Sequence, residues 1–215
     1  MNQHVANDES IVYIVEDDSS IRESLKIAFQ SVRLDVQAFE SPKDFLLAKR
    51  SIVPSCLVLD VRLPGMSGFE LHAELIGRGD VLPVIFITGH ADVAMGVRAI
   101  KSGAVEFLCK PFREQELLDA VSKAIRIDSA RRSRADRLKI LRRRYEQLTQ
   151  REREIMQLIV SGMMNKQVAG KLGLSEITVK VHRASVVRKM GARSVADLVR
   201  QADMLLQKPL LAEPL

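Results

Sequence analysis

Carboxylates, a hydroxyl and an amine stand in this sequence at one repeated kind of place, directly after or closing a short apolar run. Glu16, Asp17 and Asp18 follow IVYIV, Asp60 follows CLVL, Thr88 closes VIFIT, and Lys110 follows VEFLC. If those runs are neighbouring parallel strands, their ends converge on one crevice, where open α/β sheets hold their ligands. Carboxylates gathered in a crevice repel one another and raise each other's pKa unless a cation joins them. Hard oxygen ligands with partial access to water favour Mg²⁺, which keeps several waters and uses few protein ligands. A lysine on a flexible stem and a threonine hydroxyl then complete a phosphoryl-binding site in which Asp60 can be the nucleophile. Taken singly, each residue has a plainer reading. A strand-end aspartate is a turn former or helix cap, Thr88 a strand-end hydroxyl, Phe107 a core side chain and Lys110 a surface lysine. Joint placement carries the chemistry. His90, nearby in the chain, reads as exposed loop.

The elements that would place these residues alternate strand and helix. Strands are expected over 11–15, 36–39, 56–59, 83–88 and 105–109, the central one uninterrupted by any polar residue and so suited to burial on both faces. Ser19 or Ser20 can cap the first helix, and Ser41-Pro42-Lys43-Asp44 reads as cap, N1 proline and first-turn acid. Ser67 or Gly68 opens a third helix, a fourth runs from about 92 to 102 before Gly103, and a fifth from about 113 to 126. Such alternation implies right-handed crossovers and a doubly wound, five-stranded parallel sheet, followed here by a small all-α module.

The net charge of +6 conceals a division. Residues 1–128 carry 14 Lys+Arg against 19 Asp+Glu, whereas residues 129–215 carry 19 against 8. A strongly basic second half suggests a nucleic-acid-facing module. No apolar run approaches the ~20 residues that span a bilayer, and MNQHVANDES lacks a signal-peptide layout, so a cytoplasmic chain with no membrane partner is expected. Cys56 and Cys109 both read as buried, reduced thiols.

Between the halves, residues 128–148 form an expected basic helical linker with no Gly or Pro. Its Leu138, Leu141, Tyr145 and Leu148 give a thin apolar stripe that could pair two chains as a coiled coil. From Thr149 the sequence breaks into short capped helices. Thr149 and Glu152 make a capping box, while Asn165, Ser175 and Ser194 are expected caps. Two helices joined through Gly173-Leu174-Ser175 read as a helix-turn-helix, whose second helix, from Ser175 to Met190, enters a major groove. On it Val179, Val186 and Met190 are expected to face inward, and Lys180, Arg183, Ala184 and Val187 outward. His182 reads as packing or a phosphate contact, not a metal ligand.

The motifs IVEDDSSIRESL, LVLDVRLPGMSGFEL and VIFITGHADVAMGVRAIKSGAVEFLCKPF resemble the receiver domain of bacterial two-component response regulators, over roughly residues 10–127. The resemblance implies a sheet in the strand order 2-1-3-4-5 and that Asp60 accepts a phosphoryl group. It places Mg²⁺ on Asp17 directly, on Glu16 through water and on the backbone carbonyl of Arg62, with Asp18 as a spare acid. Thr88 and Phe107 would be the switch pair and Lys110 the phosphate-binding lysine, with a cis Lys110–Pro111 peptide. Receivers usually carry Asp at the position of Glu16.

The block LTQREREIMQLIVSGMMNKQVAGKLGLSEITVKVHRASVVRKMGARS resembles the LuxR-type DNA-binding domain, expected over 149–206 with 207–215 as a tail. By that resemblance Lys180 and Arg183 are the principal DNA contacts. Lys166 and Arg188 or Lys189 would lie on phosphates, and Thr178, Val181 and His182 belong to the same DNA-facing set. The pair of domains is similar to the FixJ/NarL class of response regulators, and the TGHADVAMGVRAIKSGA block points to its FixJ-like branch. The implied partners are a sensor histidine kinase, double-stranded promoter DNA, a second copy of the chain on phosphorylation, and RNA polymerase. Catalysis would be confined to the chain's own Mg²⁺-dependent phosphorylation and dephosphorylation. A phosphate-ester hydrolase of haloacid dehalogenase style would want a second acid two residues after the nucleophile, where Arg62 stands. A third reading, a DNA-binding protein whose receiver is only a dimer platform, leaves the intact acid site unexplained.

Overall fold

The computed structural model describes residues 10–90 and 92–206. The expected tail at 207–215 lies outside them. Contacts divide the chain into two units between Arg132 and Ser133.

The first unit runs β1 (Ile11–Val15), α1 (Ser19–Ser31), β2 (Asp35–Phe39), α2 (Pro42–Leu47), β3 (Ser55–Asp60), α3 (Gly68–Gly77), β4 (Val84–Thr88), α4 (Val93–Lys101) and β5 (Glu106–Cys109), then enters α5 (Glu114–Glu146). The strands pair in parallel in the order β2-β1-β3-β4-β5. Strand parity divides the core. Tyr13, Val15, Leu57, Leu59 and Phe86 pack with Phe45, Phe69, Leu71 and Ala99 on one face. Val12, Ile14, Val58, Ile85 and Ile87 pack with Leu25, Phe29, Leu117 and Val121 on the other. Each Val, Leu, Ile or Phe among them contributes about 1.5–3 kcal/mol of burial. The continuous apolar runs of β1, β3 and β4 are thus explained by a sheet covered on both sides.

Local chemistry sets the helix starts. Ser41 Oγ accepts the Asp44 N–H at 3.2 Å with Pro42 at the first helical position, and Ser67 and Glu70 form a reciprocal capping box. Gly68 has a second reason to be there. A Cβ at that position would lie 2.3 Å from the carbonyl oxygen of Asp60, so only glycine lets α3 start against the end of β3.

The structure corrects several expectations. Asp18, not Ser19 or Ser20, caps α1: its Oδ1 accepts the N–H groups of Ser20 and Ile21 at 2.8 and 3.1 Å. Cys56 is buried, and burial with the nearby Asp128 charge pushes its thiol pKa up, but Cys109 is exposed because β5 is the sheet edge. The fifth helix does not stop near residue 126; α5 is continuous to Glu146. On it Asp128 is fully buried beneath β3. Its Oδ2 accepts the Ser55 N–H at 3.0 Å, Arg131 and Arg132 bracket its two oxygens, and Arg132 also donates to the Ile52 carbonyl at 2.8 Å.

The second unit packs the last turns of α5 with α6 (Gln150–Val160), α7 (Asn165–Leu172), α8 (Glu176–Met190) and α9 (Val195–Leu206). Leu141 and Leu148 are buried in this unit's core and Tyr145 packs beside them. Three of the four stripe residues expected to pair two chains are therefore covered by the chain's own helices, and Leu138 is half-buried. Met164, rather than Asn165, occupies the N-cap of α7, its N–H donating to Gln167 Oε1 at 2.8 Å. Among the described residues no helix is long and apolar enough to cross a membrane.

Candidate functional site

Because β1 and β3 are adjacent and parallel, their ends bring Glu16, Asp17 and Asp60 together. One oxygen from each lies within 4.8 Å of the others. Glu16 is 2% exposed and Asp60 is buried, while Asp17 faces water. Lys110, after β5, reaches into this notch. Its Nζ donates to Glu16 Oε2 at 2.6 Å and to Asp60 Oδ1 at 2.8 Å. The other oxygen of Asp60, Oδ2, accepts the Arg62 N–H at 2.6 Å, which fixes the carboxylate's orientation. The Lys110–Pro111 peptide is cis.

The charges do not balance. Burial pushes the Glu16 carboxyl up, the Lys110 hydrogen bond pulls it down, and the neighbouring Asp60 charge raises it again, leaving it above its ordinary value. Burial works against the Lys110 ammonium, but its hydrogen bonds to Asp60 and Glu16 hold its pKa above normal. One firmly protonated lysine faces three carboxylates. Three hard oxygen donors with negative charge to spare form a donor set that fits Mg²⁺.

The remaining expected residues sit around this notch in different ways. Thr88 is fully buried at the end of β4, and its hydroxyl is engaged with the His90 backbone at 3.3 Å, not with a carboxylate. Phe107 is half-buried opposite Phe86, on the face covered by Met95 and Ala99. Asp18 is committed to its cap and adds nothing to the acid cluster. Arg22 was missed from sequence: its Nη1 donates to the carbonyls of Glu16 at 2.7 Å and Asp17 at 3.1 Å, bracing the acidic turn. A cation one helical turn into α1, just past three acids, is the signal that could have marked it.

In the second unit Gly173, at φ 63°, turns α7 into α8, and Ser175 Oγ accepts the Thr178 N–H at 3.1 Å. Val179, Val186 and Met190 are fully buried, so α8 is seated by the residues expected to seat it. Ser185 and Lys189 tie the same helix to the buried Glu152, with Ser185 Oγ donating at 2.7 Å and Lys189 Nζ at 2.6 Å. Burial alone would raise the Glu152 pKa. Hydrogen bonds from Lys189, Ser185 and the Thr149 N–H overcome it and hold the group at about 2. Lys189, expected on a DNA phosphate, thus points its ammonium inward. Arg183 Nη1 donates to Asn165 Oδ1 at 2.8 Å, and His182 and Thr178 are half-buried. Lys166, Lys180 and Arg188 are exposed. Val187, expected outward, packs against the core, whereas Val181 is exposed as expected and Ile177 is exposed beside it.

A family model described as the response regulator receiver domain matches residues 12–122, and one described as bacterial regulatory proteins, luxR family, matches residues 146–202. Nodulation protein W of Bradyrhizobium diazoefficiens is 52% identical over 200 residues, covering 93% of this chain and 88% of that protein. The transcriptional regulatory protein FixJ of Azorhizobium caulinodans is 40% identical over 191 residues, 89% of this chain and 90% of its relative. Among solved structures, the response regulator StyR is similar with a TM-score of 0.81 at 43% identity, over 91% of this chain and 99% of that one. The two family matches fall on the two units in turn, and with relatives aligned along most of its length the chain belongs to the two-component response regulators of the FixJ/NarL class, a receiver domain followed by a LuxR-type helix-turn-helix DNA-binding domain.

Proposed function

We propose that this response regulator is a cytoplasmic transcription factor switched by phosphorylation of Asp60, with a sensor histidine kinase as donor and promoter DNA as target. The observation that carries the reading is Lys110 Nζ bridging Glu16 and Asp60 at 2.6 and 2.8 Å, in a notch that retains excess negative charge. With its Oδ2 held by the Arg62 N–H, Asp60 presents Oδ1 as the nucleophile. An oxygen–phosphorus bond forms there while the phosphorus–nitrogen bond of a phosphohistidine breaks, and the departing imidazole takes up a proton. Asp17, Glu16, Asp60 and the Arg62 carbonyl would hold Mg²⁺, which supplies charge neutralisation at the transferring group. Lys110 is already within reach of a phosphoryl oxygen on Asp60.

The new group adds about −1.5 to −2 charges and three acceptor oxygens. Thr88 would then exchange the His90 backbone for a phosphoryl oxygen, and Phe107 would follow into the space left. The adjoining helix α4 exposes Val93, Val97 and Ile100 at helical spacing, an apolar stripe available for pairing two receivers. Pairing would set two α8 helices on neighbouring half-sites.

The test is to treat the full chain with acetyl phosphate and Mg²⁺, then follow covalent phosphate, sedimentation and duplex-DNA binding together. Labelling, dimer formation and tighter DNA binding are expected, with all three lost in Asp60→Asn. Undiminished labelling of Asp60→Asn would overturn the assignment.

A further inference from the structure

Helix α8 has apolar residues on two opposite faces. One face is accounted for: Val179, Val186 and Met190 are fully buried in the core of the second unit. On the other side, Ile177, Val181 and Ala184 recur at i, i+4 and i+7, and Arg188 closes the row. Ile177 is 77% exposed and Val181 65%, and Ala184 is also exposed. A helix that is apolar on its solvent face wants something to cover it.

The flanking charges say what that is. Lys180, one helical turn from both Ile177 and Ala184, and Arg188, at the end of the row, are exposed, and so is Lys166 at the start of α7, so the apolar row lies within a cationic setting. Duplex DNA supplies the complement, a groove walled by phosphates. In the floor of the major groove the base pairs offer one apolar group to a side chain, the 5-methyl of thymine. The residue best suited to bidentate hydrogen bonding of guanine, Arg183, is partly committed already to Asn165 Oδ1 at 2.8 Å. The outward stripe from residue 177 to residue 184 spans about 10 Å, or about three base-pair steps.

We propose that α8 distinguishes its operator chiefly by thymine methyl groups, packed against Ile177, Val181 and Ala184, while Lys166, Lys180 and Arg188 hold the phosphates. This rests on the DNA-binding reading above and specifies how the same helix chooses its sequence. The residues whose truncation relaxes sequence choice are therefore apolar, and the cations set affinity without setting the sequence.

The experiment uses the full chain treated with acetyl phosphate. A random-sequence duplex pool is enriched on it, and the enriched duplex is remade with uracil in place of thymine, one position at a time. Wild-type binding is expected to weaken about fourfold for each methyl that contacts the stripe, with the slope against salt unchanged because the phosphate contacts are the same. Ile177→Ala and Val181→Ala should each lose discrimination between thymine and uracil at one position. Because the wild-type arm needs no variant, a misfolded variant does not decide the outcome. A duplex that enriches and binds equally well with uracil at every position would overturn the thymine reading and leave DNA binding standing. No enrichment and no duplex binding would overturn both. A changed oligomeric state in Ile177→Ala, with no uracil effect in the wild type, would assign the stripe to protein contact instead.

Discussion

Glu16 and Glu152 are both almost completely buried, 2% and 4% exposed, and each lies 2.6 Å from a lysine ammonium. Their acidities nevertheless move in opposite directions, Glu16 upward and Glu152 down to about 2. The difference lies in the rest of each shell. Glu152 has Ser185, the Thr149 N–H and Lys189 as donors, and no second acid is among the causes of its shift. Glu16 shares its lysine with Asp60 and lies beside Asp17. A buried carboxylate with donors on both oxygens is a structural part, here one that seats α8. A buried carboxylate left in surplus is an invitation to a cation, and that contrast separates the two halves of the molecule more sharply than total charge does.

Removing the two lysines should expose this contrast most strongly. Lys189→Ala leaves Glu152 buried without its cation and is expected to destabilise the second unit by about 2–3 kcal/mol, read by denaturation of the full chain. Lys110→Ala leaves carboxylates facing one another and should lower the first unit's stability by a comparable amount in chelator. Millimolar Mg²⁺ should restore the Lys110 variant and leave the Lys189 variant unchanged; equal behaviour of the two would erase the distinction.

Acidification sharpens it further. The folded Glu152 carboxyl titrates below its unfolded value, so its stabilisation is complete above pH 4.5 and is lost as the pH falls toward about 2. That loss is of order 2 kcal/mol once screening at the partly exposed Lys189 is counted, and Glu152→Gln should flatten the acid limb of the second unit. Glu16 has the reverse sign. Its folded pKa is raised, so its contribution is fully present below 4.5 and declines as the pH rises through the folded value. The smallest effect is expected from Glu16→Gln, which removes one repelling charge. It should leave stability within about 1 kcal/mol of the parent while weakening Mg²⁺ binding measured by calorimetry.

Much of this was written plainly in the chain. The strand ends could be read because Ile11–Val15 and the run before Asp60 are unbroken apolar stretches that stop at acids, and a doubly wound sheet brings such stops to one edge. What could not be read depends on partners far away in sequence. Asp128 serves Ser55, 73 residues earlier, and nothing local distinguishes it from any other helix acid. Asn165 resembles a cap by type and position, yet its side chain accepts from Arg183 on another helix. The stripe at Leu141, Tyr145 and Leu148 carries a correct apolar periodicity, but period alone does not name the surface that covers it. Ile177 illustrates the same limit in reverse, since period alone does not say which of two apolar faces of a helix looks outward.

The bare Cα of Gly68 rests against the carbonyl of Asp60, where the first carbon of any side chain would intrude to 2.3 Å. That backing leaves the end of β3 no room to recoil toward α3 if Asp60 takes up a phosphoryl group as proposed. In mechanical terms β3 is the fixed jaw of a vice, so adjustment to a bound group falls to the side chains that face it, the flexible stem of Lys110 first.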